Sequence, residues 1–208
     1  MPRQQIGRVA ATTGNDPELD ALILRLHIET ACRRGAVLAL SLEDLNHADC
    51  LVRLHEKGEI IRWQPVSLQL MTRLVEHVER RGGAPATEKV LRYRNGKPVG
   101  RRRYDYLTKR IREHLPWADI LQISIHGVRH TTLTFVEREF GVAIARAYAG
   151  HTHSGGTGGA TLTYTTPSIV EPAEALSAIT GQPHPLARDV RHPLAPRTGS
   201  PTRQRMTL

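Results

Sequence analysis

Residues 149–167 read AGHTHSGGTGGATLTYTTP. Two histidines one residue apart, a run of glycines and a tyrosine share this stretch, and each suggests a different chemistry. His151 and His153, joined to His126 and His130, make a set of four imidazoles. His126 and His130 lie four apart and so share one face of an expected helix, and such a set can hold a divalent metal. Against this, Arg129 stands between the pair, and its fixed charge repels a cation. The glycines invite a phosphate-binding loop, which needs GxxxxGK[ST] between a strand and a helix. GGTGGATLTY has no lysine and no helical period after it, so its glycines supply chain freedom instead.

Arg33, in ETACRRGAVLALSLEDLN, and Arg129, in HGVRHT, both sit among largely apolar neighbours. A guanidinium taken out of water needs a partner, because an unpaired buried charge is costly. A carboxylate such as Glu29 or Glu43 would serve. So would a phosphate held by two planar forks.

The composition narrows the partner. Lys and Arg number 29 against 20 acids, a net charge of +9, which favours a polyanion, most often nucleic acid. Aromatic residues are only 4% of the chain, too few for a platform that stacks single-stranded bases. Cys32 and Cys50 lie in apolar surroundings without a ladder of spacings, as buried thiols of a reducing, cytoplasmic compartment do. No apolar run is long enough to span a bilayer, so no membrane partner is expected, and MPRQQIGRVAATTG lacks a signal peptide's apolar stretch.

The elements that must position these residues follow from periodicity and punctuation. Residues 1–15 are polar and aperiodic, a mobile lead. NDPELDALILRLHIETAC starts a helix capped by Asn15 or Asp16, with Pro17 in its first turn and Leu19, Leu22, Ile23 and Leu26 as its stripe. RRGAVLALSLEDLN predicts a second short helix and a turn. CLVRLH and IIRWQPV predict a hairpin with its tip near Lys57 and Gly58. SLQLMTRLVEHVERRGG is an amphipathic helix, capped by serine and ended by Gly82–Gly83. RNGKPVG is a turn. RRRYDYLTKRIREHLP is a helix with Tyr104, Leu107 and Ile111 inward and Arg or Lys elsewhere. Two further helices break near Gly141, EPAEALSAITG makes one more, and from Gln182 the Pro- and Arg-rich chain predicts a disordered basic tail.

Taken in order, TACRRG, EKGEIIRWQPV, HGVRHT, AGHT and a later tyrosine resemble the boxes of the tyrosine recombinases, the phage integrase family. The matching residues are Arg33, Lys57, His126, Arg129, His151 and Tyr164, and Arg62 and Pro65 extend the hairpin match. The resemblance implies an α+β fold, mostly helical, with a small antiparallel hairpin or sheet on one side. The catalytic domain would span residues 16–181, flanked by the lead and by a tail over 182–208. It implies double-stranded DNA as partner, a homotetramer on that DNA, and possible help from a separate clamp domain or an accessory DNA-bending protein. The family's usual N-terminal clamp is not expected within this sequence. Two departures stand out: Ala36 occupies a position often acidic, three after the first arginine, and the loop from His151 to Tyr164 is longer and richer in glycine.

The residue types suit the implied chemistry. A phosphodiester is an anion with a poor leaving group. Tyr164, with a phenol of ordinary pKa near 10, must lose its proton as it attacks, and His126 can take it. Arg33 and Arg129 would grip the non-bridging oxygens, where charge builds, with His151 adding a hydrogen bond. Lys57 would protonate the departing 5′ oxygen. No metal and no ATP are then needed, because the phosphotyrosyl bond conserves the energy of the broken one. The alternatives are an inactive or accessory DNA-binding remnant, suggested by Ala36, and a histidine-based metalloenzyme.

Overall fold

Helix α2 (Pro17–Thr30) runs through the centre of the molecule. A computed structural model describes residues 2–56, 58, 60–82, 85, 87–150 and 167–188. In it Leu19, Leu22, Ile23, Leu24 and Leu26 of α2 are all buried, so the helix is apolar well beyond one stripe, as a core helix is. Asp16 caps it, accepting from the Leu19 amide at 3.4 Å, and Pro17 opens its first turn. The same carboxylate accepts two hydrogen bonds, 2.5 and 2.8 Å, from Arg81, which ends α4 (Leu68–Arg80). At the other end Glu29, also buried, accepts from the Ser67 amide (2.8 Å) and hydroxyl (2.9 Å), pinning the start of α4.

Helix α5 (Arg102–His114) turns Tyr104, Leu107 and Ile111 inward, as its pattern requires. Arg103 and Arg110, assigned by that pattern to the solvent side, are buried as well. Asp20 of α2 is the reason: its carboxylate accepts from Arg103 at 2.6 and 2.7 Å and from Arg110 at 2.8 Å. Breaking such a buried pair by removing one partner is costly.

Helix α3 (Arg34–Ala39) and a single 3-10 turn (Leu42–Asp44) lead into an antiparallel sheet ordered β1-β2-β3, formed by Leu45–Asn46, Leu51–His55 and Ile61–Pro65. The β2–β3 hairpin runs from Leu51↔Pro65 to His55↔Ile61, and the Glu56 amide donates to the Ile60 carbonyl at 2.8 Å to close it. Gly58 at the tip has φ +83, and Lys57 lies outside the described residues. Helices α6 (Pro116–Ile120), α7 (Ile125–Phe140), α8 (Val142–Ala149) and α9 (Val170–Thr180) follow, with Gly141 (φ +87) breaking α7 from α8. Val136, Ala145, Tyr148 and Ala175 join Ala31 in a second apolar cluster. The architecture is thus mostly helical, with one small antiparallel sheet. No helix among the described residues is long and apolar enough to cross a membrane.

The two ends differ from expectation. The lead over 1–15 contains helix α1 (Pro2–Thr12), whose Ile6, Val9 and Ala10, spaced three and four apart, are buried in the main core. Three buried apolar residues in a polar stretch are a thin stripe, and the packing surface of α2 and α5 supplies what the sequence pattern lacks. Of the tail over 182–208, residues 182–188 are placed and 189–208 lie outside the described residues. His184 is buried: its Nε2 donates to the Cys50 carbonyl at 3.1 Å, and its amide donates to the Ser177 hydroxyl at 3.1 Å. Cys32 and Cys50 are buried free thiols.

Candidate functional site

A helix ends with carbonyls that have no partner inside it. Helix α2 closes on Ala31 in the left-handed conformation (φ 47, ψ 25), with the Ala31 amide returning to His27. The carbonyls that remain are each taken by a side chain from elsewhere. Ile28 accepts from the Thr132 hydroxyl (3.1 Å), Glu29 from the Tyr148 hydroxyl, Thr30 from Arg62 Nη2 (3.2 Å) and Ala31 from Arg129 Nη1. Two guanidiniums thus meet the negative end of the helix dipole. The other arm of Arg129 donates to the Ala149 carbonyl at 3.0 Å, so Arg129 ties together the C-termini of α2 and α8.

Arg33 follows at once, as the residue before α3, with its side chain 39% exposed. Neither Glu29 nor Glu43 is its partner: Glu29 serves Ser67 and Arg25, and Glu43 approaches Arg53 on the outside. Arg33 Nη1 instead donates to Glu56 Oε2 at 3.1 Å. Arg62 donates to the other oxygen of the same carboxylate at 3.3 Å, and the Glu56 side chain has no exposed surface. Burial, then the nearby Arg33 charge, pulls Arg129 below the usual guanidinium range. Burial does the same to Arg62, against the pull of Glu56. Three guanidiniums therefore gather around one carboxylate, and the surplus of positive charge is suited to an anion.

Arg33, Arg129 and His126 line one cleft of about 1000 Å³. His27, Cys32 and Tyr104 make part of its wall, and none of them is charged. The His27 Nδ1–H donates to the Cys32 carbonyl (3.2 Å), which leaves Nε2 to accept from the Tyr104 hydroxyl (3.0 Å). Burial depresses His27 to about 4, raises the Cys32 thiol to about 11 and pushes the Tyr104 phenol up. Arg34, Arg101, Lys109 and Arg112 also line the cleft.

His126 stands in the first turn of α7, whose Ser124 cap accepts from the Gly127 amide at 3.2 Å. Its Nε2 lies 2.9 Å from that of His130, so one ring donates a proton to the other across an edge-on contact. Half of the four-histidine set is thus brought together; His151 and His153 lie outside the described residues. Among the described residues no three His, Cys, Asp or Glu side chains are grouped to hold a metal ion.

Two features shape the approach to the remaining site residues. Gly150, at φ +68, caps α8, and a Cβ there would stand 2.5 Å from Arg62 Nε. Only glycine fits both the conformation and the guanidinium beneath it. Tyr148 is fully buried, with its hydroxyl committed to the Glu29 carbonyl. Tyr164, like Lys57 and His151, lies outside the described residues.

Residue patterns alone missed Glu56 and the basic lining of the cleft. Each had a signal. Glu56 is an acid placed directly after the strand LVRLH, and Arg101, Lys109 and Arg112 recur at helical spacing away from Leu107 and Ile111.

The sequence matches the model of the Phage integrase family over residues 1–164. Among solved structures, the fold resembles XerA recombinase, with a TM-score of 0.58 and 15% identity over 88% of this chain and 62% of that one. It resembles the XerH site-specific recombinase, bound to difH substrate in a pre-cleavage complex, with a TM-score of 0.58 and 15% identity over 78% of this chain and 47% of that one. The lambda integrase catalytic core gives a TM-score of 0.56 and 16% identity over 73% of this chain and 93% of that one. At these identities the likeness is one of fold, and this chain spans less than two thirds of the XerA and XerH chains. No curated protein matches the sequence.

Proposed function

The chain belongs to the phage integrase family, and we propose that its cleft grips the scissile phosphate of double-stranded DNA for cleavage and rejoining through a 3′-phosphotyrosyl intermediate. One observation carries the reading: Arg33, Arg129 and His126, far apart in sequence, line one cleft in which guanidiniums outnumber carboxylates. Arg33 and Arg129 hold the non-bridging oxygens. Their hydrogen bonds strengthen as negative charge builds there, and this lowers the barrier. Arg129 is fixed by two carbonyls, so little reorganisation is needed when the phosphate changes shape.

The Tyr164 oxygen attacks phosphorus and loses its proton to His126; the bond to the 5′ oxygen breaks, and Lys57 supplies that oxygen's proton. His151 donates a further hydrogen bond to the phosphate. In the second half a 5′ hydroxyl from another strand attacks the phosphotyrosine and gives its proton to Lys57; the bond from phosphorus to the Tyr164 oxygen breaks, His126 returns the proton to Tyr164, and the energy of the first bond is kept. Exchange between two duplexes involves four strands, and four copies, each supplying one Tyr164, make the assembly we propose.

Ala36 is the motive for the alternative, a chain that binds DNA without cutting it. The Glu56 carboxylate beside Arg33 weakens that motive. The test is a nicked suicide DNA carrying the target site: the wild type should form a covalent adduct, and Tyr164→Phe should form none. An adduct undiminished in Tyr164→Phe would overturn the assignment.

A further inference from the structure

Ala36, buried on α3, cannot support Arg33 with a carboxylate. The Arg33 side chain is long and 39% exposed. Arg129 is locked by two carbonyls at helix ends; among the described residues Arg33 is not. A guanidinium on a free stem samples many rotamers, and each one that misses the phosphate is lost to the reaction. Among the described residues, the hydrogen bond that holds Arg33 comes from one side chain, Glu56.

We propose that Glu56 is the positioning residue of the phosphate grip: its carboxylate aims Arg33 at the scissile phosphate and holds Arg62 beneath the Gly150 turn. The proposal rests on the phosphodiester reading above.

Four observations carry it. The carboxylate is fully enclosed, and its two oxygens are divided between Arg33 (3.1 Å) and Arg62 (3.3 Å), so it acts as a bridge. It is anchored through its own backbone, because the Glu56 amide closes the hairpin onto the Ile60 carbonyl. Through Arg62 it reaches the other side of the site, since the Arg62 guanidinium fills the space a Gly150 side chain would take, one residue before His151. Finally, one negative charge among three guanidiniums relieves their mutual repulsion without cancelling the positive field a phosphate needs. Glu56 does not touch the reacting atoms; with both oxygens engaged and no exposed surface, it serves through the arginines.

The experiment has two readouts. The first needs no cleavage: nitrogen-resolved NMR of the arginine side chains, with Arg33 assigned by Arg33→Lys. In the wild type the Arg33 guanidinium should show hindered rotation, and in Glu56→Gln its signals should coalesce. The second is the rate of adduct formation on the suicide DNA. Glu56→Gln should be slower by roughly a hundredfold, the scale of a misplaced catalytic group. The loss should largely disappear, in Glu56→Gln and Arg33→Ala alike, on DNA with a methylphosphonate at the scissile position. That group lacks the non-bridging charge for which Arg33 must be aimed. Glu43→Gln, on the outer pair with Arg53, should keep the wild-type rate. If Glu56→Gln does not fold, Glu56→Asp keeps the charge on a shorter arm and should give the same pattern in weaker form. Unchanged Arg33 signals, or a slowed variant that the methylphosphonate does not recover, would reduce Glu56 to a packing residue and overturn the proposal. If the wild type forms no adduct while Arg33 still depends on Glu56, the phosphodiester reading fails and the positioning of Arg33 stands.

Discussion

Tyr148 donates its hydroxyl proton to the backbone carbonyl of Glu29, joining α8 to the end of α2 in a fully buried contact. The arrangement gives this tyrosine a structural task. Tyr148→Phe removes the donor and leaves a buried carbonyl, which should cost about 1–3 kcal/mol of stability. The covalent adduct should survive at temperatures where the variant is folded. Denaturant titration and adduct trapping check the two halves, and an adduct lost in Tyr148→Phe but kept in Tyr164→Phe would reverse the assignment.

Two glycines near the site should respond in opposite ways. At Gly150 (φ +68) a side chain brings left-handed strain of about 1–2 kcal/mol and a Cβ 2.5 Å from Arg62 Nε. Gly150→Ala should destabilise the protein and slow adduct formation, because the Arg62–Glu56 contact must shift. At Gly127, inside α7, a Cβ meets the Ser124 hydroxyl at 3.9 Å and nothing nearer among the described residues. Gly127→Ala should therefore stabilise by about 0.5–1 kcal/mol through the lost freedom of the unfolded chain. Melting of both variants, read beside the adduct rate, tests the contrast.

Lys57 follows the buried Glu56 and precedes the tip glycine, Gly58. A lysine that is merely a solvated turn residue would cost a few tenths of a kcal/mol on removal and leave cleavage intact. As the general acid, its loss in Lys57→Ala should cost roughly a hundredfold or more in rate. Sulfur in place of the bridging 5′ oxygen makes a leaving group that needs no proton. Cleavage of that DNA should be restored in Lys57→Ala and not in Arg33→Ala. Equal recovery of the two variants, or of neither, returns Lys57 to the turn.

His27 makes stability depend on pH. Buried between Tyr104 and the Cys32 carbonyl, its folded-state pKa is about 4 against 6.5 in the open chain. Between those values the unfolded chain binds the extra proton, so stability rises with pH. The contribution is complete above pH 6.5 and is lost as pH falls toward 4, by at most about 3 kcal/mol. Denaturant titrations at pH 7 and 4.5 should show a smaller loss for His27→Gln than for the wild type. A residual slope should remain, since burial also depresses His77 and His184. Equal losses in the two proteins would mean that His27 is not the group responsible.

The order of the elements and the residue boxes could be read from the chain, because periodicity, caps and turn residues are local. Asp16 and Pro17 mark the start of α2, Ser67 caps α4, and Gly141 parts α7 from α8 for reasons contained within a few neighbouring residues. The candidate arginines were legible as types in an order. Their surroundings were not. Arg33 paired with neither acid that sequence proximity offered, but with Glu56 across the mouth of a hairpin.

What the tertiary structure alone decided are the contacts made by groups that every sequence contains. A backbone carbonyl is the same at every residue, so nothing in the letters marks Ile28, Glu29, Thr30 and Ala31 as the acceptors for Thr132, Tyr148, Arg62 and Arg129. Only the ending of α2 against α7, α8 and β3 does so. In the same way the burial of Arg103 and Arg110 depends on Asp20 in another helix, and α1 gains its place from a surface that its own three buried apolar residues do not describe. The sequence by itself determined which chemistries were available and in what order along the chain. Packing decided which were brought together, because burial and pairing energies belong to distant residues jointly and to neither alone.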